Sequence, residues 1–423
     1  MVGMGPEEVW VGAGDARGGN ILEVLKDWMR PERLEQDATR VSLLLRGASA
    51  DNAVLEFMQD ECTRNPASVH AHLFLVQLHT WRGDPLAAES TFMALTATAP
   101  DLGVDAIEDS IKDHLNDRTV EVSTKYSGML GSSVQSLGFY SHSARSGSHE
   151  WSFVTKISMR ALLGNEPQFY TRILPAWGQL GSVAPTMVRF SSSVVADLCM
   201  LTMERIEGCE PDIASMDARL VDVLVRRYAV LTTVDPESVQ SQLPRSRSTI
   251  DFNHGYLVQA MCRMHEPDRA EAVMVWLERA VCSRGYPDLV QHEVSKLTSL
   301  MRSVGFQARI IPSQHFAFLH GDLHRHNIIQ RGEDFVFIDW ARCATGPACI
   351  DLAVLLRRFG FQGTIDCMER NGLWAGLDPV GRALFAYALI LVSVMIDIEQ
   401  IKTEPPEHLF LPAMRFIEGV INS

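Results

Sequence analysis

The sequence predicts an α+β protein in which a β-rich segment separates two helical segments. Apolar residues recur at helical spacing from residue 21 to about residue 116, then alternate with polar residues over about the next ninety positions. Beyond that the spacing is helical again, apart from a stretch of short apolar runs, FAFLHGDLHRHNIIQRGEDFVFID. We therefore expect a flexible tail at 1–20, a helical domain at 21–116, a β-rich lobe at 117–207 and a helical lobe at 208–423.

Length and composition are those of a globular protein with more than one domain. The chain of 423 residues is too long for one hydrophobic core, and its 46% apolar and 21% charged residues exclude a largely disordered chain. The net charge, 38 − 52 = −14, argues against a general affinity for nucleic acid or for anionic membranes. We expect neither as a partner.

Targeting and redox features favour a cytoplasmic protein. The eight cysteines are scattered without a C-x-x-C pair, which indicates reduced thiols rather than disulfides or a zinc site. The start of the chain, MVGMGPEEVWVGAGDARGGN, lacks the basic and apolar regions of a signal peptide. The longest apolar run, Ala383 to Ile396, is too short to span a bilayer and predicts a buried helix.

The first helical segment contains a pattern of 34 residues, bounded by Pro66 and Pro100. Within it Leu75, Gly83, Ala88 and Phe92 fall at spacings that resemble a tetratricopeptide repeat, in which small residues let two helices pack closely. The preceding 34 residues match only at Val41 and Pro66, so an ordinary helical bundle stays open as the alternative. The segment is a candidate surface for a protein partner.

Three strand candidates separated by Gly/Ser turns open the β-rich lobe, at 120–127, 133–142 and 150–158. A helical stretch from Glu166 to Leu174 follows them. The apolar run at 194–208 has the pattern of strand structure leading into a linker.

The densest polar signal is HGDLHRHN at 320–327, followed twelve residues after Asn327 by Asp339 in the run FIDW. Phosphoryl transfer needs a carboxylate that orients the attacking hydroxyl and accepts its proton, and oxygen ligands for Mg²⁺ at the nucleotide phosphates. Asp322 and Asn327 on one loop, with Asp339 at the end of the next strand, supply that set. The alternative is a pair of merely solvated turns.

The H-x-D-x-x-x-x-N…I-D-W form resembles the signature of the aminoglycoside phosphotransferase and choline kinase-like family, and GPACIDLA at 346–353 is similar to its next segment. The resemblance covers residues 120–423. It implies a two-lobed protein kinase-like fold, with a small β-rich N-lobe and a larger helical C-lobe. It also implies transfer of the γ-phosphate of ATP to a hydroxyl of a small molecule, such as an aminoglycoside, a choline-like amine, a sugar or a steroid-like alcohol.

The same resemblance implies roles for the loop residues. Asp322 would be the catalytic carboxylate, and Asn327 and Asp339 would hold Mg²⁺. The acceptor's identity, and the choice between ATP and GTP, stay open.

Lys156 lies in the third strand candidate, and only six of the 38 basic residues in the chain are lysines. A lysine on that strand can reach nucleotide phosphates if a carboxylate on the adjacent helix, here Glu166, holds it. A solvent-facing lysine on an edge strand is the alternative.

Two further segments complete the nucleotide site that the resemblance implies. The turn GMLGSS would cradle phosphates through Gly131, Ser132 and Ser133, with a plain hairpin turn as the alternative. The residues Met203, Glu204 and Ile206 would belong to the linker whose backbone pairs with adenine.

Other function classes are less consistent with these residues. Closely spaced His320, His324 and His326 could suggest zinc, but they lie between two strands rather than on one helix face. A non-catalytic nucleotide-binding scaffold, acting through the helical domain, would not need the whole set of polar residues. A protein kinase is disfavoured by I-D-W and G-P-x-x-x-D-L-A in place of D-F-G and A-P-E.

Overall fold

The structure is a computed structural model, and it groups the chain into two compact units. One comprises 1–164 with 185–206, and the other comprises 165–184 with 207–423. The structure describes residues 21–28, 41, 44–97, 102–127, 136–160, 164–194, 198–213, 215–243, 261, 264–283, 285–396 and 409–422. The predicted tail at 1–20 lies outside the described residues.

The first unit begins with helices, as the apolar spacing predicts. They are α1 (Ile21–Trp28), α2 (Asn52–Arg64), α3 (Val69–Trp81), α4 (Pro85–Thr96) and α5 (Val104–His114). Local sequence signals set several of their ends. Asp84 caps α4 by accepting a hydrogen bond from the N–H of Ala87, and Pro85 occupies its first turn. Gly83, at φ +73°, turns the chain between α3 and α4.

Strands β1 to β5 follow and form one antiparallel sheet in the order β1-β2-β3-β5-β4. They are β1 (Glu121–Ser127), β2 (Ser136–Ser146), β3 (His149–Met159), β4 (Met187–Ser193) and β5 (Leu198–Glu204). The three strands predicted first are therefore confirmed. β4 was not predicted, because its sequence, MVRFSSS, lacks apolar alternation and its side chains are mostly half-buried.

One hydrophobic core unites the helices and the sheet of this unit. Phe74 and Phe92 of the helices belong to the same buried cluster as Tyr140, Phe153 and Ile157 of the strands. The rings of Phe92 and Tyr140 lie 6.2 Å apart. The helices and the sheet thus bury each other's apolar side chains. A separate domain at 21–116 stays a prediction, and so does its resemblance to the tetratricopeptide repeat.

The second unit is mainly helical. Its first helical segment, α6, spans 166–176 and includes a π-helical turn at Phe169–Ile173. The later helices are α7 (Ala218–Ala229), α8 (Pro236–Gln242), α9 (Pro267–Ser283), α10 (Asp288–Met301), α11 (Val304–Gln307), α12 (Pro312–His315), α13 (Ile350–Leu356), α14 (Gly360–Arg370), α15 (Leu373–Gly376), α16 (Pro379–Ile396) and α17 (Phe410–Asn422).

Two small antiparallel ladders carry the polar loop of this unit. Strand β6 (Phe316–Leu319) pairs with β9 (Ala344–Pro347), and β7 (Ile328–Arg331) pairs with β8 (Asp334–Phe337). The predicted strands β6, β7 and β8 are confirmed, whereas β9 was missed because ATGP contains two residues that disfavour strands. The apolar run ending at Ile396 is a helix, and no described helix is long and apolar enough to cross a membrane.

Candidate active site

The loop after β6 is anchored from a distant helix. The carboxylate of Asp351, in the first turn of α13, accepts hydrogen bonds from the backbone N–H of His320 at 2.7 Å and of Gly321 at 3.1 Å. Asp351 is fully buried, and this burial raises its pKa to about 7, although the two N–H donors oppose the shift. A buried side chain from outside the polar loop therefore holds its start, together with the buried ring of His320, whose Nε2 donates to the oxygen of Ile338 at 2.9 Å.

Glycine is the one residue type that fits position 321 in this loop. Its φ is +83°, and a Cβ atom there would lie 1.8 Å from the carbonyl oxygen of Arg342. Because that neighbour is backbone, it cannot move aside as a flexible side chain could. The glycine in HGDL thus allows the loop to pass close to the segment after Asp339.

The carboxylate of Asp322 is partly exposed and lies beside two nitrogen-bearing side chains. Its Oδ2 lies 3.5 Å from Nη1 of Arg342, and its Oδ1 lies 3.8 Å from Nε2 of His324. Burial lowers the pKa of His324, while the Asp322 charge opposes that shift. The loop therefore presents a carboxylate beside a guanidinium and a ring that burial keeps neutral.

The amide of Asn327 is oriented by the same loop. Its Nδ2 donates to the backbone oxygen of Asp322 at 2.9 Å and lies 3.4 Å from Nε2 of His324. The backbone N–H of Asn327 also donates to the oxygen of His324, at 2.8 Å. With its nitrogen used inside the loop, the side chain keeps Oδ1 as the atom available to a cation.

Asp339 is brought to the same end of the β7–β8 hairpin as Asn327. The residue before it, Ile338, donates its N–H to the backbone oxygen of Asn327 at 2.9 Å. Asp339 itself has a left-handed backbone, with φ 64° and ψ 63°. Such a conformation costs a non-glycine residue about 1–3 kcal/mol and is concentrated at functional sites.

The segment after Asp339 is fastened to α6, which carries Glu166. The ring of Trp340 stacks on that of Phe169 at 4.0 Å with an interplanar angle of 5°. Asn165 donates its backbone N–H to the oxygen of Ala341 and its Nδ2 to the oxygen of Cys343, both at 2.7 Å. The buried Glu166 is therefore held at a helix start that is bonded to this segment.

In the sheet unit, Lys156 is half-buried in the central part of β3. It alternates with Thr155 and Ile157, which are buried on the side covered by the helices, so Lys156 lies on the other side of the sheet. Its strand partners are Phe139 and Leu201. Lys156 and Glu166 belong to different compact units, and their pairing stays a prediction.

The predicted linker begins at the end of β5. Met203 and Glu204 are the last residues of that strand, and Ile206 lies two residues beyond it. The N–H of Glu204 donates to the oxygen of Thr186, and the N–H of Arg205 donates to the oxygen of Ser152, both at 2.9 Å.

A family model identifies the chain. The model of the phosphotransferase enzyme family (APH) matches residues 169–387, just over half of the sequence, including the polar loop, Asp339 and Asp351. The chain belongs to this family. The predicted family is thereby confirmed, and with it the kinase-like α+β fold class and the assignment as a phosphotransferase enzyme. The match begins later than the resemblance at residue 120.

Several solved structures of aminoglycoside phosphotransferases are similar to this chain. A thermostable mutant of APH(4)-Ia, in a complex with AMP-PNP and hygromycin B, is 12% identical with a TM-score of 0.40, and the match covers 75% of this chain and 98% of that one. Spectinomycin phosphotransferase APH(9)-Ia is 12% identical with a TM-score of 0.40 over 71% and 91%. An aminoglycoside 2'-phosphotransferase-IIIa mutant is 15% identical with a TM-score of 0.42 over 75% and 97%. No curated protein matches.

The sequence motif thus predicts some of the residues that the structure brings together at the candidate site, but not all of them. Asp322, Asn327 and Asp339 are gathered in one unit, as their spacing predicts. Gly131, Ser132 and Ser133 lie outside the described residues. Arg342, beside Asp322, was not singled out, and no feature of the sequence marks it. Asp351 was visible only as part of GPACIDLA, where a charged residue opens an otherwise apolar helix.

Proposed function

We propose that this phosphotransferase transfers the γ-phosphate of ATP to a hydroxyl group of a small molecule. The observation that carries the proposal is the grouping of Asp322, Asn327 and Asp339 around one loop and one hairpin of a chain that belongs to the phosphotransferase family. Reaction at a hydroxyl is favoured because the loop offers a carboxylate that can accept a proton and offers no cysteine or serine nucleophile of its own.

Asp322 acts on the acceptor in this proposal. Its partly exposed carboxylate hydrogen-bonds the acceptor hydroxyl, orients the oxygen toward the phosphate and accepts the proton as the new bond forms. Arg342, at 3.5 Å, places a positive charge beside this carboxylate. The ring of His324 is a polar neighbour of the Asp322 carboxylate. Because it is neutral, it adds no positive charge that would compete with the acceptor hydroxyl for that carboxylate.

Asn327 and Asp339 would hold a divalent cation, for which Mg²⁺ is the candidate. An amide oxygen and a carboxylate are ligands that this hard cation prefers. The orientation of the Asn327 amide fits that role, because its nitrogen is bonded to Asp322 within the loop and Oδ1 is left for the cation. Such a cation would neutralise part of the charge of the nucleotide phosphates.

The nucleotide is assigned to the remaining predicted residues. Lys156 contacts its phosphates, Gly131, Ser132 and Ser133 cover them, and Glu166 holds the lysine. The linker residues Met203, Glu204 and Ile206 pair with the base. The N–H groups of Glu204 and Arg205 are used within the sheet unit, so the base would pair with other backbone groups, such as the N–H of Ile206.

The acceptor belongs to the classes that the family resemblance implies. Aminoglycosides, choline-like amines, sugars and steroid-like alcohols share an accessible hydroxyl and differ in charge. The test is to incubate the wild type with Mg²⁺ and ATP and each class of acceptor, and to detect the phosphorylated product by mass spectrometry.

The first prediction concerns Asp322→Asn. We expect this change to preserve Mg-ADP affinity, because the nucleotide and metal residues remain. Transfer to the acceptor should fall by about 10²–10⁴-fold, since an amide cannot accept the hydroxyl proton. Calorimetry measures the affinity, and product detection measures the transfer.

The matched control is Asp366→Asn, because this carboxylate lies on α14, outside the polar loop and the β7–β8 hairpin, and accepts a hydrogen bond from Gln362 one turn earlier. It should transfer at the wild-type rate. Equal transfer by Asp322→Asn and by the wild type would remove Asp322 from the mechanism. Tight nucleotide binding with no transfer by the wild type to any acceptor would favour the scaffold instead.

A further inference from the structure

Helix α5, at the end of the helical segment that the motif does not explain, is hydrogen-bonded to strands β1 and β4 of the sheet. Glu108 accepts a hydrogen bond from Oγ1 of Thr124 on β1 at 2.7 Å. Arg189 on β4 donates to the oxygen of Ala106 and to Oγ of Ser110, at 3.2 and 2.7 Å. Because β1 and β4 are the two edges of the sheet, the helix holds both edges at once.

A buried polar chain continues from Glu108 across the sheet. The hydroxyl of Thr124 lies 2.8 Å from Nδ1 of His142, Nε2 of His142 lies 2.8 Å from the hydroxyl of Thr155, and that hydroxyl lies 2.8 Å from that of Thr202. The chain thus runs from the helix through β1, β2 and β3 to β5. Its last member, Thr202, stands two residues before Glu204.

The last residue of α5 contacts the predicted linker itself. Nε2 of His114 donates to Oε1 of Glu204 at 3.1 Å, and the His114 ring meets the ring of Phe153 edge-on at 6.0 Å. Phe153 is the strand partner of Glu204 in the β3–β5 ladder. The side chain of Glu204 is thereby held at the point where β5 ends.

We propose that His114 is a positioning residue for the nucleotide base, acting through Glu204. By fixing the Glu204 side chain, the hydrogen bond limits the conformations of the linker backbone on which the base would rest, and pre-ordering of that kind raises affinity. The inference rests on the proposed function, because it takes the linker as the base-binding segment. It gives the N-terminal helices a part in nucleotide recognition.

The experiment compares two probes that differ in whether they carry a base. ADP engages the linker and the phosphate-binding residues, whereas inorganic tripolyphosphate engages only the latter. Affinities of the full-length wild type, His114→Leu and His114→Gln for both probes are measured by calorimetry with Mg²⁺ present. Lys112→Ala is the matched control, since Lys112 lies on the same helix and, among the residues that the structure describes, its ammonium pairs with Asp109 alone, at 4.0 Å.

For His114→Leu we expect ADP affinity to fall by about three- to fivefold, the size of effect that the loss of one partly exposed hydrogen bond produces. Tripolyphosphate affinity and the melting temperature should stay at the values for Lys112→Ala. His114→Gln, which keeps a donor, should recover part of the ADP affinity. If the substitution only destabilised the sheet, the affinities for ADP and for tripolyphosphate would fall together.

Two results would overturn the inference while leaving the proposed function intact: unchanged ADP affinity in His114→Leu, or an equal loss for both probes. A wild type that binds neither probe would instead refute nucleotide binding itself, and the inference with it. The two failures are therefore distinguished by the wild-type titrations.

Discussion

The sheet of the first unit and the polar loop of the second are stabilised by different kinds of contact. The sheet is held by apolar burial, with Phe74 and Phe92 of the helices in one cluster with Tyr140 and Phe153 of the strands. The loop is held by hydrogen bonds to the buried carboxylate of Asp351. Apolar burial sums many similar contributions, so one apolar residue can replace another. The conformation of a loop that is held by few hydrogen bonds depends on each of those bonds.

This difference affects how each region can be recognised. Fully burying one large apolar side chain contributes about 1.5–3 kcal/mol, and several residue types can supply it. Leaving one buried N–H without its acceptor costs about 1–3 kcal/mol, and only a suitably placed oxygen avoids that cost. The loop therefore needs particular residues at particular positions, whereas most of the sheet core needs an apolar pattern, apart from the polar chain through His142.

Removing the helices tests the first half of the comparison and should have the largest effect. Deletion of residues 1–116 removes Phe74 and Phe92 and uncovers Tyr140, Phe153 and Ile157. We expect a chain that is largely insoluble or that lacks protected sheet amides in hydrogen exchange, because several large apolar side chains lose their cover.

Deletion of residues 1–20 alone is the control for this experiment, because it spares every described helix. Solubility and ADP affinity are measured on both truncations. A soluble chain starting at residue 117 that binds ADP as the wild type does would show that 21–116 is a separate domain, as the sequence predicts.

Substitution of Asp351 tests the other half with a smaller effect. Asp351→Ala leaves the N–H groups of His320 and Gly321 without their buried acceptor, which should cost about 2–4 kcal/mol of unfolding free energy and most of the transfer activity. Asp351→Asn keeps one acceptor oxygen and should lose less of both. Denaturant unfolding and the transfer assay give the two quantities.

An Asp351→Ala variant with wild-type stability and transfer would show that the loop does not depend on this anchor. Leu352→Ala, at the next and equally buried position, serves as the matched control. It removes apolar contacts from the same helix but no hydrogen bond of the loop, so it should lower stability more than transfer.

The smallest effect is in the pH dependence of the sheet, through His142. Burial lowers the pKa of His142 to about 4 from 6.5. Since the unfolded chain binds the proton more readily, the stability contributed by the neutral ring is complete above pH 6.5 and is lost as the pH falls toward 4. At pH 5 the loss should be about 2 kcal/mol.

Hydrogen exchange of the β2 and β3 amides at pH 7 and pH 5, corrected for intrinsic rates, measures this loss. His142→Gln cannot titrate and should show no such loss, although it starts less stable. Asp351 has the opposite sign, since its raised pKa of about 7 makes stability fall as the pH rises from about 4. If β2 amides in His142→Gln showed the wild-type dependence, another group would be responsible.

The parts of the fold and site that could be predicted are those with a local signal. Period-two alternation predicted β1, β2 and β3, and the run ending at Ile396 predicted a buried helix. Their spacing within one loop and one hairpin was enough to predict that Asp322, Asn327 and Asp339 lie in one group. Strand β4 could not be predicted, because it is an edge strand whose pairing with β5 does not require an apolar pattern.

The sequence by itself determined the secondary structure of the main elements and the polar set of the loop, because both depend on residues close together in the chain. Only the tertiary structure decided which distant groups complete them. Asp351 reaches His320 across 31 residues, and Gly321 must be glycine because the backbone of Arg342 passes beside it. Helix α5 packs against the sheet because Ser110 and His114 bond strand residues 79 and 90 positions later in the chain. Contacts of this kind depend on where the folded chain brings the groups together, and no local pattern of residues records that.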